Sequence, residues 1–506
     1  MEVGAKMHIL DKTYHDSVRL DTNKKTKKDK GQFFTPTDIA CYMSKFSSIT
    51  KANIRILDPG CGTGVLSIAL CLHLAENTNV KRIYLDLYEN DDTIYDILES
   101  NILDLKKVLS SRNIHFQYNL MVDNFITSNS DDWNNITGQK YDLIISNPPY
   151  KKLSITSFES TAMKSIVKGQ PNIYALFMAM SLHLLLPEGE MIFITPKSFC
   201  SGAYFDLFRK YFFENCDITN IHLFTNRSNT FLSEKVLQET IIFKAIKSKD
   251  MNRVVKITSS TDSNFEIIDS ISVAHSDLYR IHNLKSNFYL LKNQGEYNIL
   301  KLINSFTSTF ESLGYKFKTG PIVDFRMDTY ISGSTKLDNP LIWPCHISPS
   351  GFVRFPNDQQ KDQYIKSIKS FLLPNKETII IKRFTSMDEK RRLSPNLFFP
   401  LSGYNQIGIE NHLNYLSTNS KTEIGIEELY GIYCILNTTI YDQYYRILNG
   451  NTQVNVYELN NIPIPDKNNI FELGRWLISS HDMSVQVCDM LFKKLINEIE
   501  GKYNAR

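Results

Sequence analysis

Asn147-Pro148-Pro149-Tyr150 places two fixed hydrogen-bond acceptors beside an aromatic ring. The side chain of Asn147 offers a carbonyl, and Pro148 offers a backbone carbonyl with no N–H of its own to compete. Two prolines stiffen the turn, so both acceptors are oriented before any ligand arrives. Such a pair suits an exocyclic amine on an aromatic base, a poor nucleophile because its lone pair is delocalised into the ring. Accepting both N–H groups draws that nitrogen towards tetrahedral geometry. Tyr150 adds a flat face for a base taken out of a helix, and such stacking is worth ~1–3 kcal/mol. This chemistry needs position and polarity rather than a covalent intermediate. In isolation, the four residues read equally well as a rigid loop.

The elements around the turn decide between these readings. Residues 54–58 (IRILD) read as a strand, Pro59 to Gly64 as a glycine-rich turn, and 65–74 as an apolar helix. Glycines there let the backbone turn sharply and approach a ligand closely. A second strand, 82–88, ends in Glu89, where an acid can hold a ribose diol. Further strands are expected over 116–122, leading to Asp123-Asn124-Phe125, over 141–146, leading to Asn147, and over 191–194. Helices are expected over 173–185 and 204–213. This alternation argues for an α/β fold with a doubly wound, mostly parallel sheet. In such sheets ligands collect at the carboxyl ends of the strands. The glycine turn, Glu89, Asp123 and Asn147 to Tyr150 all fall at that edge. A dinucleotide enzyme and a plain tight turn remain the alternatives for the glycine segment alone.

At 506 residues the chain is too long for one compact core, so two domains are expected. Hydrophobic residues make up 42% and charged residues 22%, ordinary for a globular protein. No apolar stretch approaches the ~20 residues of a membrane span, and no secretory leader is visible, so a cytoplasmic, membrane-free protein is expected. Eight scattered cysteines without a C-x-x-C pair argue against disulfides or structural zinc and for buried thiols. No metal site is expected. Net charge is only +3, yet Lys24, Lys25, Lys27, Lys28 and Lys30 cluster, as do Lys382, Arg383, Lys390, Arg391 and Arg392 around Phe384. Either run reads as a solvated face or as a phosphate contact.

In order, the segments GQFFTP (31–36), DPGCGTG (58–64), Glu89, Asp123, NPPY (147–150), PNIYALF (171–177) and GEMIFITPKSF (189–199) resemble the gamma group of adenine-N6 DNA methyltransferases. Those enzymes are mostly modification partners in Type II restriction systems of bacteria. The likeness implies the Rossmann-like fold of S-adenosylmethionine-dependent methyltransferases and S-adenosylmethionine as methyl donor. It implies that Thr35 and Pro36 close over the methionine end of the donor. Asp58, Gly60, Gly62 and Gly64 would cradle it, Glu89 would clamp its ribose, and Asp123 would pair with its adenine amino group. Asn147, Pro148 and Tyr150 would form the target-adenine site. Phe231 falls where the family often places a second aromatic against the flipped base, although a core phenylalanine reads as well. The family commonly has Asp-Phe where this chain reads Asp123-Asn124-Phe125, so Phe125 packs on the donor only if Asn124 is accommodated.

The polar stretch 247–264 is a natural boundary. It separates a catalytic domain, 1–246, from an α+β target-recognition domain, 247–506. Fainter family echoes lie in TGPIVDFR (319–326), IKRF (381–384) and NGNTQVNVYEL (449–459). Arg326, Lys382 and Arg383 are candidate DNA contacts, with buried aromatics under snorkelling cations as the plainer alternative. The expected partners are double-stranded DNA and a cognate restriction endonuclease on a separate chain, with the methylase a monomer. Rival readings are a protein-glutamine or RNA-base methyltransferase, cytosine-N4 methylation, a catalytically dead DNA-binding protein and a fused endonuclease. Glutamine enzymes are much shorter, and cytosine-N4 enzymes usually carry serine or aspartate in place of Asn147. The ~30 residues before Gly31 are too few for a nuclease domain. Cytosine-C5 chemistry needs a Pro-Cys nucleophile, but Pro344-Cys345 lies far outside the catalytic half, so Cys345 reads as structural.

Overall fold

The computed structural model describes residues 9–16, 34–224, 240–248, 250, 253–261, 265–282, 285–332, 338–357, 362–367, 371–385, 389–418, 424–448 and 453–504. The chain divides into two compact units, Met1–Asn293 and Gln294–Arg506.

The first unit is built on a nine-stranded sheet. Its leading elements are α1 (Thr37–Ser44), β1 (Asn53–Pro59), α2 (Val65–Asn77), β2 (Arg82–Tyr88), α3 (Tyr95–Ser111) and β3 (His115–Met121). Next come α4 (Phe125–Ser128), β4 (Tyr141–Ser146), α5 (Phe158–Ala162), α6 (Ile173–Leu184) and β5 (Leu185–Pro196). The unit continues with α7 (Asp206–Phe213), β6 (Asp217–Phe224), β7 (Thr240–Ile246), β8 (Val254–Ser260) and β9 (Ile267–Ala274). Strand order is β3-β2-β1-β4-β5-β7-β6-β8-β9. The run from β3 through β5 is parallel, and β7 enters antiparallel to both β5 and β6.

Every residue of β4 is buried, as a central strand covered on both faces requires. Helix α2 is apolar almost all round and packs against α1, α3 and the sheet. From β1 the chain winds outwards through β2 and β3, then returns to place β4 on the other flank of β1. The winding therefore reverses between β1 and β4. The loops leaving these two strands diverge there and open a crevice at their carboxyl ends.

The expected doubly wound, mostly parallel sheet is present, and β2 and β4 begin and end where the sequence patterns do. The first unit runs past the boundary expected at 246. Within the polar stretch, β8 pairs parallel to β6, and just beyond it β9 pairs antiparallel to β8. Burial of Val255 and of every residue from Ile257 to Ser260 keeps β8 on the sheet despite its polar flanks. Six cysteines are buried, but Cys345 is exposed and Cys41 half-buried, so the expectation of buried thiols fails at these two. Cys345 sits in the 3-10 turn Pro344–His346, whose buried residue is His346.

The second unit combines a four-stranded antiparallel sheet (Tyr315–Thr319, Leu413–Thr418, Thr378–Lys382, Pro395–Phe398) with a five-stranded sheet of short strands. Helices Ile426–Asn437 and Lys467–Ser480 cross at close range. A Cβ on Gly431 would fall inside the carbonyl of Ile470, and one on Gly474 inside that of Glu427. Backbone meets backbone there, and only glycine fits.

Candidate active site

Four loops at the carboxyl edge of the sheet carry the residues singled out above. After β1, Gly60, Gly62 and Gly64 take φ of +75°, +56° and +89°, a region that other residues rarely adopt. The turn is stitched to its neighbour, since Gly60 and Cys61 both donate N–H groups to the Tyr88 carbonyl. Gly64 caps α2 and has no side chain with which to bond the helix's first N–H groups. A Cβ on Gly60 would approach the Phe177 ring to 3.3 Å, and one on Gly62 the Phe34 ring to 3.4 Å.

Two buried carboxylates support this turn. Glu89 accepts the Gly62 N–H at 2.9 Å and the Asp91 N–H at 2.9 Å. Asp58 accepts the Ser67 hydroxyl at 2.6 Å through Oδ2. Among the described residues, its Oδ1 has no hydrogen-bond partner. Burial pushes Asp58 up to about 7, with the Glu89 charge adding to the rise and the Ser67 hydroxyl opposing it. Burial raises Glu89 as well, against the N–H groups that favour its charged form.

After β4, the Asn147 side chain is bonded on both sides. Its amide nitrogen donates to the Thr35 hydroxyl at 3.0 Å, and its oxygen lies 2.7 Å from the Tyr150 hydroxyl. The same hydroxyl lies 3.1 Å from the backbone oxygen of Ile194, on β5. Burial pushes the Tyr150 hydroxyl well above its ordinary pKa of 10, so it stays protonated. Its ring meets Tyr174 edge-on at 6.3 Å. Ser146 fastens β4 to β1 by donating to the Pro59 carbonyl at 2.8 Å. Pro149 comes within 3.9 Å of the Cβ position of Gly60. Thr35, Gly60, Gly62, Glu89, Asn147 and Tyr150 therefore belong to one connected site.

Asp123 lies exposed beyond the end of β3. Phe125 is buried and packs against Tyr88 at 5.3 Å and Phe177 at 5.1 Å. The inserted Asn124 has a local job. Its oxygen accepts from Ile126 and Thr127 N–H groups, capping α4, and its amide donates to Glu159 at 2.8 Å. Asparagine directly before a helix is a capping signal that the sequence reading passed over. Ser67 and Phe177 were also missed; a hydroxyl one turn into the helix after the glycine loop was the available sign for Ser67.

In the second unit, Arg326 is exposed and lies over the Phe325 ring at 5.4 Å. Lys382 is half-buried. Arg383 donates to the Asn411 carbonyl at 3.2 Å and to Gln453 at 3.3 Å. Arg391 donates to the carbonyls of Asn437 and Thr438 at a helix end, and Arg392 is fully buried near Tyr445. Much of this basic cluster thus holds the fold together. Phe231 lies outside the described residues.

The comparisons agree with this architecture. Residues 35–231 match the family model described as Eco57I restriction-modification methylase. The Type II methyltransferase M.BsuBI of Bacillus subtilis is 31% identical over 96% of this chain and 98% of its own. M.PstI of Providencia stuartii, also a Type II methyltransferase, is 27% identical over 94% of each. Among solved structures, the Type IIL restriction-modification enzyme MmeI, determined in complex with DNA, shares the fold. It superimposes with a TM-score of 0.50 at 10% identity, over 97% of this chain and 74% of its own. Among the described residues, no helix is long and apolar enough to cross a membrane. With a relative matched along nearly its whole length, the chain belongs to the Eco57I-type restriction-modification methylases, alongside the Type II methyltransferases that modify DNA.

Proposed function

We propose that this chain transfers the methyl group of S-adenosylmethionine to the N6 amino group of an adenine flipped out of a short double-stranded DNA sequence. The observation that carries the reading is the setting of Asn147. Its amide is bonded to Thr35 and Tyr150, directly across the β1/β4 crevice from the glycine turn. An amine placed between the Asn147 and Pro148 carbonyls is polarised for direct attack on the methyl group, with no covalent intermediate on the enzyme.

The residues present fit the donor. A side chain on Gly60 or Gly62 would crowd a neighbouring ring, and Asp58 Oδ1 is buried without a hydrogen-bond partner among the described residues. Glu89 would hold the ribose hydroxyls, since each carboxylate oxygen already bonded to an N–H keeps a second lone pair. Asp123 would face the adenine amino group, and Thr35 and Pro36 the methionine end, with Asp58 and the glycines lining the turn. Phe125 supports this wall from its buried place between Tyr88 and Phe177. When bound, S-adenosylmethionine supplies a methyl group already activated by its sulfonium. Tyr150 stacks on the extruded base, with Phe231 as the candidate second aromatic.

In this reading the second unit, with the segment after residue 246, reads the DNA sequence, and Arg326, Lys382 and Arg383 contribute to the duplex contact. Methylation protects the site from a cognate endonuclease on a separate chain, and the methylase acts as a monomer in the bacterial cytoplasm. Single-molecule sequencing of DNA from a methylation-free host expressing this chain tests the reading. N6-methyladenine confined to one short motif supports it. Unmodified DNA from a folded, donor-binding protein would refute it and turn attention to RNA or protein substrates.

A further inference from the structure

The loop that follows Tyr150 ends in an aromatic side chain held out in water. Phe158 is 85% exposed and Ile155 56% exposed. By contrast, Phe125 and Phe177 nearby are buried. Phe158 therefore adds little to the folded core, and apolar surface left in this position invites a partner.

Local bonds hold this loop in shape. Its start pairs with the entry to α6, through Leu153 N–H to the Pro171 carbonyl at 2.8 Å and Ile173 N–H to the Lys151 carbonyl at 2.9 Å. Ser157 caps α5 by accepting the Ser160 N–H, and the Ser160 hydroxyl donates to the Ser154 carbonyl at 2.8 Å. Glu159, next to Phe158, is bonded to Asn124 at 2.8 Å. Phe158 is thus presented from the same sheet edge as Asn147, by a loop tied both to the end of β3 and to the entry of α6. The surrounding charge is basic. Residues 151–170 hold Lys151, Lys152, Lys164 and Lys168 against the single acid Glu159 in the segment, with Lys168 paired to Asp206 at 3.3 Å. Lys151 and Lys152 are both exposed.

We infer that Phe158, with Ile155 beside it, is a wedge that enters the base stack of the duplex next to the target adenine, while Lys151 and Lys152 hold the flanking phosphates. An apolar wedge that unstacks one base step lowers the cost of extruding the neighbouring nucleotide. The inference rests on the duplex-DNA reading proposed above.

The test uses the full chain, a duplex bearing the motif found by sequencing, and the same duplex with the target adenine mispaired. Phe158→Ala should lower kcat/KM on the paired duplex by about tenfold and reduce the fluorescence rise of 2-aminopurine at the target position. On the mispaired duplex, where extrusion is already easy, the deficit should shrink to about twofold or less. Phe158→Trp should retain the paired-duplex activity. Lys151→Ala with Lys152→Ala should weaken both duplexes alike and flatten the salt dependence of binding. Phe158→Ala equal to the parent on the paired duplex would overturn the wedge, as would an equal loss on both duplexes. A parent chain that methylates no duplex removes the underlying reading itself. An active parent with an unaffected variant removes only the wedge.

Discussion

The Tyr150 hydroxyl stands 2.7 Å from the Asn147 side-chain oxygen, the atom that the proposed reading assigns to the target amine as an acceptor. Tyr150 therefore does more than offer a ring face. Its hydroxyl also reaches the Ile194 carbonyl at 3.1 Å, which anchors the Asn147–Tyr150 turn to β5. Tyr150→Phe keeps the ring and loses this anchor, so kcat should fall by only a few-fold. Tyr150→Ala loses both, and about 1–3 kcal/mol of stacking should disappear from target binding. Steady-state methylation together with 2-aminopurine fluorescence separates the two; equal losses in both variants would assign the whole effect to the hydroxyl.

Thr35 is the other anchor of Asn147, at 3.0 Å from its amide nitrogen. Asn147→Ala should abolish methyl transfer while calorimetry shows donor binding near normal. Thr35→Val should lower kcat by about two- to twelvefold, because one hydrogen bond that orients the Asn147 amide is worth about 0.5–1.5 kcal/mol. Thr35→Ser should restore the rate. Retained activity in Asn147→Ala would remove Asn147 from the mechanism.

Gly62 combines a φ of +56° with an N–H given to Glu89 at 2.9 Å. Gly62→Val puts a β-branched residue in a conformation it strongly avoids and presses its Cβ on the Phe34 ring, 3.4 Å away. Donor binding should be lost in calorimetry while circular dichroism stays near that of the parent. Unaltered binding would remove the turn from the donor site.

Asp58 makes the donor-free protein sensitive to pH. Its folded pKa is raised to about 7 by burial, so folding favours the neutral acid. The resulting stability is fully present below the unfolded value of 3.8 and is lost as pH rises through about 7. Across that window this one group makes stability fall by at most about 1.4 kcal/mol per pH unit. Asp58→Asn should flatten this part of the curve in denaturant titrations at stepped pH. An unchanged slope would place the sensitivity in another group, with Glu89, also raised by burial, the next to substitute.

In the second unit, Gly431→Ala forces apart two helices that meet backbone to backbone. Overpacking of this kind costs about 1–3 kcal/mol, visible as a lower Tm. Lys382→Ala should leave Tm unchanged and weaken binding to all DNA sequences alike. Arg383→Ala should also lower Tm, since its guanidinium bonds Asn411 and Gln453. No change in filter-binding affinity after Arg383→Ala would end its DNA role.

Much of the backbone at the carboxyl edge of the sheet was legible in the chain itself, because its determinants are local. Pro148 and Pro149 stiffen their turn in any context, glycines at 60, 62 and 64 announce positive φ, and the apolar runs at 82–88 and 141–146 declare strands with accurate ends. What depended on partners distant in sequence was not legible. β8 and β9 joined the first unit because β6 offered a free edge, which no reading of the polar 247–264 stretch reveals. Arg383, Arg391 and Arg392 looked like a DNA patch, yet the fold turned their donors towards Asn411, Gln453 and a helix end. Asn147 could be named from its motif, but its bonds to Thr35, 112 residues earlier, and to the Tyr150 hydroxyl were decided by tertiary structure alone. Backbone preferences act over a few residues, whereas a side chain's partners depend on how distant segments pack.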